Sequence, residues 1–221
     1  MKKFILASIA TAVLATSTVS ASEFTINPMI GASNNKAFGT SFAAGVEAGY
    51  GDVLMGYTYT GTSEKTSSEF IYDGQEAFTN SKDEFSAHSI YAGYQFDVAA
   101  GKLAVKAGVE ISKRKANGSF GWEAMTPTPF STANNEGGML QSSVKGESLV
   151  RPMVGLGYHL DNGWNFNLHY TFHRSDRQAT ANFTGAYMSA DGFEEESIRN
   201  VKTSLSDKDM STWMFTVGYR F

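Results

Sequence analysis

From Phe24 to the carboxyl terminus, hydrophobic residues recur at alternate positions. Trp213, Phe215, Val217, Tyr219 and Phe221 are separated by Met214, Thr216, Gly218 and Arg220. Trp164, Phe166, Leu168, Tyr170 and Phe172 are separated by Asn165, Asn167, His169 and Thr171. Strict alternation marks a strand whose two faces meet different surroundings. The pattern predicts strands over 24–33, 40–50, 53–61, 84–96, 102–115, 148–160, 164–174 and 210–221. Their connections alternate between tight and long. Gly51-Asp52, Asp97 to Gly101 and Asp161-Asn162-Gly163 carry hairpin-turn chemistry, whereas 62–83, 116–147 and 175–209 are long. Tight turns at one end and long loops at the other predict an all-β fold, an eight-stranded antiparallel up-and-down transmembrane barrel.

Periodicity alone does not say which face is outside. A soluble barrel would show the same alternation with its faces exchanged. The charges and glycines decide. Glu47, Lys106, Glu110, Arg151 and Arg220 fall opposite the aromatics, as do Gly31, Gly45, Gly49, Gly56, Gly93, Gly108, Gly155, Gly157 and Gly218. A narrow lumen has room for glycine and some polar side chains, so the aromatic face is the lipid face. Four strands carry a Gly-Tyr pair near the tight-turn end. Tyr50, Tyr94, Tyr158 and Tyr219 are therefore expected to form an interfacial aromatic girdle. Pro28 and Pro152 interrupt strand segments where a closed barrel has no free edge, so a bulge is expected at or beside each.

The amino terminus follows another rule. Lys2 and Lys3 precede an apolar stretch from Phe4 to Leu14, and Val19-Ser20-Ala21 supplies small residues at a cleavage site. Residues 1–21 read as a secretory signal peptide, leaving a domain over 22–221. Its removal shifts the formal charge from −4 to −6. No cysteine is present, which excludes a disulfide scaffold and a thiol nucleophile. The acidic balance gives no footprint for nucleic acid. The 13% aromatic content argues against disorder.

The carboxyl-terminal Trp213-Met-Phe-Thr-Val-Gly-Tyr-Arg-Phe221, together with the strand pattern, resembles the small eight-stranded outer-membrane barrels. These include the transmembrane domain of outer membrane protein A, the attachment-invasion family and the opacity-type surface proteins. The long loops also look like those of accessory colonisation factors. The resemblance covers Ser22 to Phe221. It implies location in the cell outer membrane of a Gram-negative bacterium, with both termini in the periplasm. It also implies that Tyr219 and Phe221 form the signal read by the barrel-assembly machinery.

Candidate chemistry is confined to three places. In the lumen, Glu110 and Arg151 lie at similar height on neighbouring strands, and Glu47 and Lys106 share a lower level on opposite sides. Buried charges must be paired or hydrated, and eight strands leave space only for side chains. A salt-bridge plug is therefore expected, with a gate or ion path as the alternative. His169 and His173 are ~13 Å apart by strand rise, too far to share a metal, and no cofactor is expected. At the rim, His173-Arg174-Ser175 is similar to the histidine–serine pair of lipid A deacylases, with Asp176 or one of Glu194, Glu195 and Glu196 as the orienting acid. The aspartate after Ser175, the long following loop and the inward turn of His173 depart from that pattern. In the loops, Phe70, Tyr72, Trp122, Phe130, Phe183, Tyr187 and Phe193 are contact candidates, since exposed aromatics pack or bind. The acidic run Glu194-Glu195-Glu196 reads as a solvated turn.

The expected function is a monomeric, non-enzymatic surface protein whose loops mediate adhesion or another external contact. Its expected partners are outer-membrane lipid and lipopolysaccharide, the assembly machinery and a host or cell-surface ligand. Passage of small or hydrophobic solutes and esterase action on lipid A through His173 and Ser175 are the alternatives.

Overall fold

The computed structural model describes residues 24–72, 75–122, 137–174, 177–189, 192–205 and 209–221. The proposed signal peptide, Phe130, Ser175 and Asp176 lie outside them. Eleven strands and no helix occur among the described residues: β1 (Phe24–Asn35), β2 (Gly39–Tyr50), β3 (Val53–Tyr72), β4 (Gln75–Val98), β5 (Gly101–Trp122), β6 (Gly138–Gly146), β7 (Leu149–Leu160), β8 (Trp164–Thr171), β9 (Arg177–Ser189), β10 (Gly192–Leu205) and β11 (Thr212–Tyr219).

Eight of these strands close a ring. The antiparallel pairings run β1–β2–β3–β4–β5–β7–β8–β11 and back to β1. Following directly opposed residues around the ring from Asn27 returns to β1 at Asn35, so the strands are staggered as closure of a tilted barrel demands. The other three strands come from segments expected to be loops. β3, β4 and β5 continue far past the ring. The upper half of β5 pairs with β6, β6 with β9 and β9 with β10. At ~3.4 Å per residue, β4 alone reaches about 80 Å, more than twice the thickness of a bilayer core. The expectation of eight strands thus counted the ring and missed three further strands that extend the same sheet above it.

Neither proline produces a bulge. Pro28 lies in unbroken register opposite Val46, and Pro152 opposite Val109. The missing N–H is accommodated where a ladder runs out. Pro152 accepts the Phe172 N–H at 3.0 Å just past the last β8 pair. Pro28 sits between the last β1–β11 pair, Met29 with Gly218, and the exchange of hydrogen bonds between Ile26 and Phe221. The single register shift among the described pairings lies elsewhere, between Ile198 and Val201. There Asn200 adopts a φ of 59° and donates its N–H to Asn182 Oδ1 at 2.8 Å.

The tight turns follow the sequence chemistry. Gly51 and Gly163 have φ values of 57° and 93°, in the left-handed region that glycine enters without strain. The outward face of the ring is apolar and exposed, with Ile30, Met55, Ile90, Val105, Leu156, Trp213 and Phe215 all 48% exposed or more. Opposite them the lumen is polar and buried. Exposed apolar surface that encircles the molecule is the surface of a barrel in lipid, because in water it would be folded inward. On β5 this belt runs from Leu103 to Ile111, within the ~9–11 residues a tilted strand needs to cross. Closed barrels satisfy every backbone group inside a bilayer, and the chain is a transmembrane β-barrel of the outer-membrane type.

Candidate functional site

The lumen contains two charged layers. In the lower one, Lys106 reaches across from β5 to form an ion pair with Glu47 on β2; both side chains are essentially inaccessible. Tyr91 donates its hydroxyl proton to the same carboxylate at 3.0 Å, and Asn27 donates an amide proton at 3.4 Å. Asn167 accepts from Lys106 and donates to Asn165 at 2.9 Å; Asn165 donates to Asn27 at 2.7 Å. The network therefore spans β1, β2, β4, β5 and β8. The charges are placed by strand parity, and glycines make the room. A Cβ on Gly56 would lie 2.1 Å from the Tyr91 ring, and one on Gly157 would lie 3.0 Å from Lys106 Nζ.

The upper layer pairs Arg151 with Glu110, both fully buried. Thr171 donates to the same carboxylate at 3.0 Å, and Arg151 also donates to the Met210 carbonyl. Above this the lumen is closed by an apolar cluster of Phe38, Phe85, Ala87 and Met210. Phe38 and Phe85 stack with centroids 5.2 Å apart, and the Arg114 guanidinium lies 5.2 Å from the Phe38 ring centre. The parity argument located all four lumen charges, and the structure brings them together as two pairs. The apolar lid was missed, because Phe38 comes from a short connection and Met210 from the end of a long one.

The four tyrosines Tyr50, Tyr94, Tyr158 and Tyr219 lie near the tight turns at outward positions. Tyr50 and Tyr94 flank Val53 in one row of paired residues. Tyr219 meets Trp164 edge-on at 5.6 Å and Phe221 at 5.1 Å.

His173 lies just past the end of β8, partly exposed rather than turned into the lumen. Its Nδ1 accepts the Met210 N–H at 3.1 Å and stands 3.7 Å from Asp209. That hydrogen bond puts the ring proton on Nε2. A histidine serving Ser175 as base needs the other tautomer, with Nδ1–H held by an acid.

The remaining candidates lie in the sheet above the barrel. On β3 and β5 its inward face gathers Phe70, Phe120 and Trp122. Phe70 and Phe120 have centroids 6.2 Å apart, Phe120 and Trp122 5.5 Å. The Trp122 ring covers Gly138, where a Cβ would come within 2.3 Å. Phe183 joins the same sheet on β9, half-buried, opposite Ser142. Phe193 is 64% exposed on the outermost strand, opposite Met188, and stands apart from this ledge. Tyr72 and Tyr187 are placed by register alone, opposite Gln75 and Gly138. Glu194, Glu195 and Glu196 lie within β10, so the expected solvated turn is strand. Among the described residues no group of acidic or histidine side chains has the geometry of a metal site.

No protein-family model matches the chain, and no curated protein matches it. Several solved structures are similar to it. CarO of Acinetobacter baumannii is 11% identical over 88% of this chain and 97% of that one, with a TM-score of 0.34. A major outer membrane protein from Thermus thermophilus is 14% identical over 91% and 100%, with a TM-score of 0.35. The attachment invasion locus protein Ail of Yersinia pestis, in complex with the heparin analogue sucrose octasulfate, is 13% identical over 90% and 97%, with a TM-score of 0.34. Likeness at this level carries no functional argument. The assignment to the transmembrane barrels of the outer membrane rests on the ring of pairings and the apolar belt.

Proposed function

We propose that this protein is a non-enzymatic surface protein of the outer membrane. Its extracellular sheet, rather than its lumen, makes the functional contact, and adhesion to a host or neighbouring cell surface is the reading we favour. The observation that carries it is the Phe70–Phe120–Trp122 ledge, held far above the belt on the extended β3, β4 and β5. Aromatic side chains on a rigid sheet lose little freedom on binding and provide large contact area. Two layers of paired charge and an apolar lid leave the lumen filled, which supports the surface over solute passage. The tautomer of His173 supports a binding role over ester hydrolysis. The girdle of Tyr50, Tyr94, Tyr158 and Tyr219, the assembly signal in Tyr219 and Phe221, and a monomeric state belong to the same reading.

The test is attachment of cells displaying the intact chain, compared with cells displaying Phe70→Ser/Trp122→Ser. Attachment should fall at least tenfold while the heat-modifiable gel mobility of a folded barrel persists. Undiminished attachment by a folded double variant would remove the ledge from the function. Discrete conductance steps from the purified wild-type protein in planar bilayers would favour passage instead.

A further inference from the structure

The outward face just above the apolar belt changes chemistry in steps. The topmost row of the belt consists of directly opposed Tyr59, His88, Ile111 and Val150. Tyr57 shares a 2.7 Å hydrogen bond with His88, and the Tyr59 ring lies 5.1 Å from it, an amphipathic group suited to the lipid–water boundary. One outward position higher on β5 is Lys113. The next is Lys115, directly opposite Lys145 on β6 and Glu84 on β4, and the row above sets Lys65 directly opposite Lys82. Like charges facing each other across a ladder are destabilising, and here two such pairs lie in adjacent rows. Lys82 is neutralised by Glu84, but Lys65, Lys113, Lys115 and Lys145 make no ion pair among the described residues. The chain as a whole is acidic, so this concentration of cations is local.

Lys113, Lys115 and Lys145 line a depression of about 610 Å³ with Tyr59, Ser63, Ser86, Arg114 and the single carboxylate of Glu84, which is paired with Lys82. A second depression of about 500 Å³ lies above it, walled by amides and hydroxyls that include Asn80, Asn117, Ser119 and Gln141. From the belt upward the face thus offers hydrocarbon, then an aromatic boundary, then ammonium groups, then amides and hydroxyls. One occupant presents the complementary order. A membrane glycolipid has acyl chains, a phosphorylated sugar headgroup and further sugars above. We propose that this face binds the phosphorylated glycolipid of the outer leaflet, with Lys113, Lys115 and Lys145 holding its phosphates. The continuity of the depression with the belt favours a lipid fixed in the membrane over a free anion. This site is on the opposite face of the sheet from the aromatic ledge, so either assignment can fail without the other.

The experiment uses the mature protein in micelles of an uncharged detergent, titrated with bisphosphorylated lipid A and read by native mass spectrometry. Wild type should retain lipid A, and Lys113→Gln/Lys115→Gln/Lys145→Gln should bind it on the order of a hundredfold more weakly, about fivefold per lysine. The corresponding triple arginine variant should bind as wild type does, and dephosphorylated lipid A should bind as weakly as the glutamine variant does. Equal binding of dephosphorylated lipid A would overturn the proposal, as would full affinity in the glutamine variant. Displacement of bound lipid A by millimolar inorganic phosphate would also overturn it, by showing a free-anion site. If the triple variant loses heat-modifiable mobility, Lys115→Gln alone should show about a fivefold loss, and no loss would again refute it.

Discussion

The lower and upper halves of β5 share one ladder with β4 and one unbroken alternation, yet they are inverted. Below, Val105, Ala107, Val109 and Ile111 face outward while Lys106, Glu110 and Ser112 face the lumen. Above, Lys113, Lys115, Asn117 and Ser119 face outward while Ala116, Phe120 and Trp122 face inward. The backbone does not change at the boundary; the outside solvent does. Lipid rewards an apolar exterior and leaves polar groups to pair within the lumen, whereas water reverses both preferences. The crossing between Ile111 and Lys113 therefore marks the top of the membrane more sharply than any loop boundary. The ring is closed and filled, whereas the upper strands do not close on themselves among the described residues.

The sharpest way to break this contrast is to add volume to each half. A Cβ on Gly108 would lie 2.2 Å from the Ile90 carbonyl oxygen, whereas one on Gly185 would meet nothing closer than Leu140 at 3.8 Å. Gly108→Val should abolish the folded barrel, read as loss of heat-modifiable mobility and of membrane-inserted protein. Gly185→Val should leave both intact. Equal tolerance at the two positions would mean that the lumen is not packed as described.

Next in size is charge pairing. Lys106→Met leaves the Glu47 carboxylate buried without its cation, which should cost about 3–5 kcal/mol in urea unfolding from lipid vesicles. Adding Glu47→Gln should recover much of that loss, since the residual network is then neutral. The exposed Lys82–Glu84 pair in the upper sheet should contribute no more than about 1 kcal/mol when Lys82 is replaced by Gln. A small loss at Lys106 would show that water reaches this layer and would reopen the passage reading.

A third comparison keeps residue type, strand and face constant. Ala107 and Asn117 both face outward on β5. A lysine at Ala107 enters the middle of the belt and should cost about 2–4 kcal/mol, whereas one at Asn117, opposite Lys82, should cost under about 1 kcal/mol, from like-charge repulsion in water alone. The same unfolding measurement reads both. Comparable costs would place the boundary elsewhere.

The sequence disclosed the ring and concealed the sheet for one reason. In β8 and β11 the outward residues are aromatic and the alternation is unmistakable. In β5 the apolar positions switch parity after Ile111, so a single-phase reading ends there. β6 has little alternation at all, and the outward-inward rhythm of β9 rests on Ala179 and Ala181, which carry a weak hydrophobic signal. Pairing of β6 with β9 joins two segments far apart in sequence, and local pattern does not encode such a contact. The lumen charges were legible by parity, but the reach of Lys106 to Glu47 depends on the bore of the ring. The lysine face was missed because Lys65, Lys82, Lys113, Lys115 and Lys145 meet only after three hairpins align. The prolines misled because a missing donor was assumed to need a bulge, when the end of a ladder serves as well.

The smallest effect lies at the seam between the two regions. Asp209 accepts a 2.6 Å hydrogen bond from Lys36 and a 2.9 Å bond from the Ser211 N–H, which hold its carboxyl well below the usual carboxylate range. These contacts stitch the end of the long final connection to the β1–β2 turn, together with the Lys36 N–H to Ser211 carbonyl bond at 3.0 Å. A depressed folded-state pKa contributes stability that is present above the ordinary aspartate pKa and is lost as pH falls through the lowered value. The pair is exposed, so its energetic share is small. Carboxyl NMR should show Asp209 titrating below free aspartate, and Lys36→Ala should move its midpoint upward toward the ordinary range. Unfolding of the ring between pH 7 and pH 5 should be the same in both proteins, because the pair ties the rim and not the lumen. A ring that weakened with Lys36→Ala at neutral pH would mean that the seam transmits stability between the halves, and the two would have to be treated as one cooperative unit.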